Sequence, residues 1–275
     1  MNWLKFLLSH SIFISFCAVG LCYQTFELLH LPLNNIVFAI IFFATLCSYN
    51  FYWLISKYYF KGDTSTRVFL LKQFSNLFFF ATAGSAMLYC LWILPAILPY
   101  MLVATSLTLL YSIPLWPVKR LAFTRRAGFL KTIVLALTWT YVTVMIPAAT
   151  GNPGNVSVLL LFTARFLFML MLCIIFDSRD INVDKIHALR SLATDVSAIT
   201  LKKIMSVIFI LYVATGLVLR YFFDNAAQVI AFFITGILTL LVYKLSLKKQ
   251  NYYFYYFLVD GLMLFSALAT YVASI

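Results

Sequence analysis

Charge is what this chain has least of. Asp, Glu, Lys and Arg make up only 10% of its 275 residues, against about 25% in soluble domains. With 64% of the residues hydrophobic, the polar groups cannot coat so much apolar surface. A soluble globular protein is therefore excluded, and lipid must be the solvent. Polar linkers, low-complexity tracts and span-level repeats are missing as well, so residues 1–275 read as a single transmembrane domain. The cysteines, Cys17, Cys22, Cys47, Cys90 and Cys173, all lie inside apolar runs, with no Cys-x-x-Cys pair and no histidine at ligand spacing. That excludes a zinc centre or a redox pair and leaves small buried side chains. The 20 basic residues outnumber the 8 acidic ones, but they are dispersed among apolar runs and form no soluble basic face, which argues against a nucleic-acid partner. No protein partner can be inferred. The first apolar stretch lacks a small-residue cleavage site and reads as a retained helix.

What is present is a series of long apolar runs. Nine transmembrane helices in one all-α bundle are expected, at about 3–28, 33–60, 67–92, 94–111, 128–149, 156–177, 197–220, 226–246 and 252–274. Of the 20 Lys and Arg, all but Arg165 and Arg220 fall at the amino terminus or near the connections after the even-numbered spans. By the positive-inside rule these connections and the amino terminus are cytoplasmic, and the carboxy terminus lies outside. The opposite connections carry Pro32, Pro95 and Gly151-Asn152-Pro153-Gly154, which are turn signals.

The stretch 177–193 stands out because it gathers acids in a chain that has few. A solvated polar loop is the plain reading. On a continuing helix, however, Asp177, Asp180 and Asp184 fall within about 60° of one another. Three carboxylates on one face repel unless a cation sits between them, and hard oxygen ligands suit magnesium. Asp180-x-x-x-Asp184, preceded by Arg179 and followed by Leu189-Arg190-Ser191-Leu192, resembles the second aspartate motif of the UbiA superfamily of membrane prenyltransferases. Tyr111-Ser112-Ile113-Pro114, then Lys119-Arg120, Gly128-x-x-Lys131 and Trp139, resembles that family's basic loop. The resemblance covers nearly the whole chain.

The resemblance implies a nine-helix fold and a prenyl diphosphate as substrate. It also implies a lipid or aromatic acceptor within the membrane lipid, with Asp180 and Asp184 catalytic on at most one well-supported magnesium. Asn50, Lys57, Tyr111, Lys119, Arg120 and Arg179 are then the diphosphate-binding candidates, and Asp177, Asp180 and Asp184 the metal ligands. The chain departs from the family in its first motif. Asn50 is present, but Leu54 and Tyr58 stand where aspartates are expected. Lys57 shares a helical face with Asn50 and could meet diphosphate as a point charge, or it could simply snorkel to the interface. Arg165, an ionisable group in hydrocarbon, is either functional or snorkelling outward. Asp260 should face the bundle and find a basic or hydroxyl partner, and His187 reads as a surface residue. Two functions are open: magnesium-assisted prenyl transfer, or a non-catalytic isoprenoid-binding protein of the same fold. A transporter is disfavoured, because the polar residues cluster in loops and not at the midplane.

Overall fold

The computed structural model describes residues 3–59, 72–112, 128–186, 191–221 and 225–275, and for Tyr59, Gly128 and 182–186 the backbone alone. Its helices are α1 (Trp3–Ser9), α2 (Ile12–Leu28), α3 (Asn35–Tyr59), α4 (Phe74–Ile93) and α5 (Leu98–Ser112), followed by α6 (Gly128–Thr140), α7 (Val156–Ile186), α8 (Leu192–Asp195), α9 (Ala198–Leu219), α10 (Ala226–Ser246) and α11 (Asp260–Ser274). Among the described residues eight helices are long and apolar enough to cross a bilayer, or nine if the α1–α2 pair counts as one span. The protein is an all-α, multi-pass integral membrane protein.

The helix starts are written in the sequence. Asn34, Asn155, Ser197, Asn225 and Asn251 each offer a side-chain oxygen to an amide of the next turn, at 2.9 to 3.3 Å. In a bilayer these unpaired first-turn amides are costly, so short polar caps stand where helices begin.

Three breaks in helical geometry were not expected from hydropathy, one of them a π-type turn over Phe254–Val259 just ahead of α11. The first span is not continuous, because α1 and α2 meet at 71°. Ser11 adopts φ 63°, which ends one helix and re-aims the next. The carbonyl of His10 at this corner accepts from the Asn50 amide at 3.2 Å. The second break comes after α6, where a wide π-type turn spans Tyr141–Met145 ahead of Pro147. Proline has no N–H to give the carbonyl four residues back. That carbonyl, on Thr143, instead accepts the Thr25 hydroxyl of α2 at 2.7 Å.

Around the bundle α2 packs on α3 and α11, α3 on α4, α5 on α6, α6 on α7, α7 on α9, α9 on α10 and α10 on α11. The weak link is between α4 and α5, which are joined by the Pro95 turn but packed mainly on other neighbours. α7 is the most enclosed span. Phe168, Met169, Met171, Leu172, Ile174 and Ile175 are each no more than 3% exposed. A helix covered on every side needs no polar face, hence the unbroken apolar run before Asp177.

Candidate functional site

Where α3 and α4 part from α5 and α6, the gap is a cavity of about 350 Å³. Its walls are largely apolar, and small side chains, Ala44 and Ala104 among them, keep it open. Tyr49, Tyr52, Tyr111 and Trp139 supply its aromatic lining. Tyr52 stacks on Tyr111 with ring centres 5.4 Å apart, and Tyr49 meets Trp139 edge-on at 6.0 Å. The Lys131 ammonium lies 5.9 Å from the centre of the Tyr111 ring, so a cation stands behind the aromatic wall.

α7 does not stop at the acidic stretch. It runs on to Ile186, which puts the Cα atoms of Asp177, Asp180 and Asp184 on one helical face. Asp177 turns toward α6 and accepts from the Thr132 hydroxyl at 2.5 Å, while the same hydroxyl takes the backbone N–H of Leu192 at 3.4 Å. It also lies within electrostatic reach of Tyr111 and Cys173. Asp180 is held by its neighbour. Arg179 donates from Nε to Oδ1 at 2.6 Å and from Nη2 to Oδ2 at 2.8 Å, a two-pronged pair. The guanidinium also sits against the rings of Phe176, Tyr255 and Tyr256, at 5.0, 5.1 and 4.9 Å.

The remaining expected residues are spread more widely. Asn50 is fully buried, and its Nδ2 donates to Leu46 and to His10, leaving Oδ1 without a partner among the described residues. Its amide is thus spent on the α1–α2 corner. Lys57 donates to the Gln73 side chain at 2.8 Å, and its ammonium lies 6.0 Å from the Trp53 ring centre. That joins α3 to the start of α4. Lys119, Arg120, His187 and the side chain of Asp184 lie outside the described residues.

Arg165 does not snorkel. It is 4% exposed and donates to the Leu21 carbonyl at 3.3 Å and to Gln24 Oε1 at 2.8 Å. Gln24 in turn donates to Ser266 and Thr270, so one network ties α2, α7 and α11 together. Sequence reading missed Gln24, because a lone amide in an apolar run carries no partner in its own segment. Thr132 was missed as well, although it adjoins Lys131 in the basic-loop match, and so were the rings around Arg179.

For magnesium, the donor chemistry fits: three aspartates have their Cα atoms on one face of one helix. Among the described residues, no three His, Cys, Asp or Glu side chains gather to hold a metal ion. The two described carboxylates are engaged by Thr132 and Arg179. An ion there has to share Asp180 with the guanidinium and needs Asp184 to complete the set.

No protein-family model matches the sequence, and no curated protein matches it. Solved structures do. The chain is similar to a digeranylgeranylglyceryl phosphate synthase structure at 16% identity and TM-score 0.62, over 98% of this chain and 97% of that one. It is also similar to an apo structure of a UbiA homolog from Aeropyrum pernix K1 at 12% identity and TM-score 0.58, over 94% of this chain and 97% of the other. The chain has the UbiA fold. With 97% of each of those chains covered, the likeness to the UbiA fold takes in the whole bundle and not one part of it.

Proposed function

We propose that this UbiA-fold protein binds a prenyl diphosphate with its chain in the α3–α6 cavity and transfers the prenyl group to an acceptor. The observation that carries this reading is the cavity itself. It is apolar, of ligand size, lined with aromatic rings, and backed by Lys131 with the Asp177 side chain close by. In the reaction the allylic C–O bond breaks and its electron pair leaves with the diphosphate. The acceptor nucleophile then bonds to the allylic carbon and releases its proton. Tyr49, Tyr52, Tyr111 and Trp139 present π faces that can shield the positive carbon without trapping it. Lys131, with Lys119 and Arg120, supplies cationic charge for the departing diphosphate, and Arg179 adds to it by exchanging Asp180 for a diphosphate oxygen. Asp177, Asp180 and Asp184 are the residues that would hold magnesium, and the ion would supply further charge against the diphosphate oxygens. The distribution of basic residues supports a cytoplasmic opening for this site.

A specific observation favours the non-catalytic alternative. Leu54 and Tyr58 replace the first pair of carboxylates, and Arg179 already neutralises Asp180. A protein so equipped keeps a prenyl-lipid groove without a full metal site. The two readings separate on binding of labelled geranylgeranyl diphosphate to the purified full-length protein in nanodiscs. For the transferase, binding strengthens at least about tenfold with magnesium over EDTA, and Asp184→Asn abolishes that gain. Equal binding with and without magnesium supports the alternative. No binding in either condition refutes both.

A further inference from the structure

Two neighbouring spans carry lysines at the end of the bundle where the acidic stretch of α7 lies. α9 begins there, just after α8, and brings Lys202 and Lys203. α10 ends there with Lys244, and Lys248 and Lys249 follow it. All of these lysines are exposed. Among the described residues none of their ammonium groups pairs with a carboxylate. The described acid nearest to them in sequence, Asp195, ends α8 and lies 3.5 Å from the Thr194 hydroxyl.

The two helices hold these charges side by side. Tyr212 of α9 stacks on Phe232 of α10 with ring centres 4.1 Å apart, and its hydroxyl donates to the Phe232 carbonyl at 3.0 Å. Gly236 makes room for the tyrosine ring, since an added Cβ would lie 2.7 Å from Tyr212 Cε1. The pair is thus locked within the membrane, and its lysine-bearing ends stay neighbours. Next to the lysines both faces turn to lipid. On α9 Lys203 shares a face with Val207 and Ile210, and on α10 Lys244 shares one with Leu241 and Ile237. Those four apolar side chains are 48 to 64% exposed. Ammonium groups so placed lie at headgroup level, in line with the tails that cover the same helical face. The helix dipole accounts for Lys244, in the last turn of α10. It gives nothing to Lys202 and Lys203 near the start of α9, an end that favours anions.

We infer that the α9–α10 pair is a docking surface for anionic phospholipid, with headgroup phosphates on the lysines and acyl chains along the apolar faces beside them. Charge complementarity selects this occupant. A zwitterionic headgroup brings no net charge to the cluster, whereas each anionic headgroup lowers the mutual repulsion of the lysines as well as pairing with them. The acyl chains meet the exposed side chains that any lipid would cover, so the headgroup alone decides which lipid stays. The surface lies on α9 and α10, across α7 from the α3–α6 cavity, and it stands whatever the cavity binds.

The test is lipid retention by the purified full-length protein, exchanged into an equal mixture of phosphatidylglycerol and phosphatidylcholine and read by native mass spectrometry. The parent should retain phosphatidylglycerol at least about fivefold over phosphatidylcholine. Changing Lys202, Lys203, Lys244, Lys248 and Lys249 together to Gln should bring that ratio to within about twofold of one. Two double variants separate a local surface from net charge, because each removes the same charge at the same end of the bundle. Lys202→Gln with Lys203→Gln should lower the preference at least about twofold, while Lys5→Gln with Lys72→Gln should leave it unchanged. Equal losses in the two doubles make the preference a matter of net charge and overturn the surface. So does a parent ratio near one, or a preference that survives when all the lysines of the cluster are replaced. Should that variant fail to fold, the two doubles decide.

Discussion

Replacing Gln24 by leucine should destabilise this protein more than any single neutral hydrogen bond in a membrane would suggest. The Arg165 guanidinium is 4% exposed, and its described acceptors are Gln24 Oε1 at 2.8 Å and the Leu21 carbonyl at 3.3 Å. Gln24→Leu removes the shorter of these. A hydrogen bond to a charged group is worth about 1.5–3 kcal/mol, and the loss is greatest when the charge stays buried. The Gln24 amide also donates to the Ser266 and Thr270 hydroxyls at 3.0 and 2.7 Å. These are neutral bonds between helices, of a kind that averages about 0.6 kcal/mol in membrane proteins. Thr270 keeps its own bond to the Ser266 carbonyl at 3.1 Å, so it is not stranded. The sum is about 3 kcal/mol, or a fall in Tm of roughly 6–12 °C at about 2–4 °C per kcal/mol.

The telling variant is the double one. Arg165→Met with Gln24→Leu removes the charge along with its acceptor and leaves apolar chains of similar volume. Replacing a buried polar set in this way costs little compared with breaking it. The double variant should therefore unfold at a higher temperature than Gln24→Leu alone. Thermal unfolding in nanodiscs, monitored by intrinsic fluorescence, reads the difference. A double variant less stable than Gln24→Leu, with the two effects simply adding, would refute the account of Arg165 as a charge held by its network.

Thr132→Val keeps the shape of a side chain only 1% exposed and removes the hydroxyl that donates to Asp177. We expect a stability loss of about 1–3 kcal/mol in the same assay, together with weaker magnesium-dependent binding of geranylgeranyl diphosphate. Unchanged binding would show that the orientation of Asp177 is immaterial to the ligand. For topology, reporter fusions at Ile275 and in the 112–127 connection should report opposite sides of the membrane, with the connection cytoplasmic. The same side for both would defeat the positive-inside assignment.

Composition and hydropathy alone determined that this chain lives in lipid. The caps were legible too, because an asparagine or serine ahead of an apolar run is a local signal answered within one turn. The acidic stretch was legible as a helical face for the same reason: Asp177, Asp180 and Asp184 need only the helix to continue, and α7 continues to Ile186. The 71° corner between α1 and α2 was not legible, since it is held by Asn50, forty residues further along the chain. Nor was the fate of Arg165. Hydropathy registers a costly charge in hydrocarbon, but only the bundle brings Gln24 from α2 to meet it. The same holds for Asp260, which is buried just after a π-type turn and has Cys17 of α2, Tyr49 of α3 and Cys173 of α7 within electrostatic reach. Local sequence decides the course of the backbone within a turn or two. In a bilayer, where apolar surface looks alike to every helix, partners for the few polar groups are chosen by the packing of distant segments.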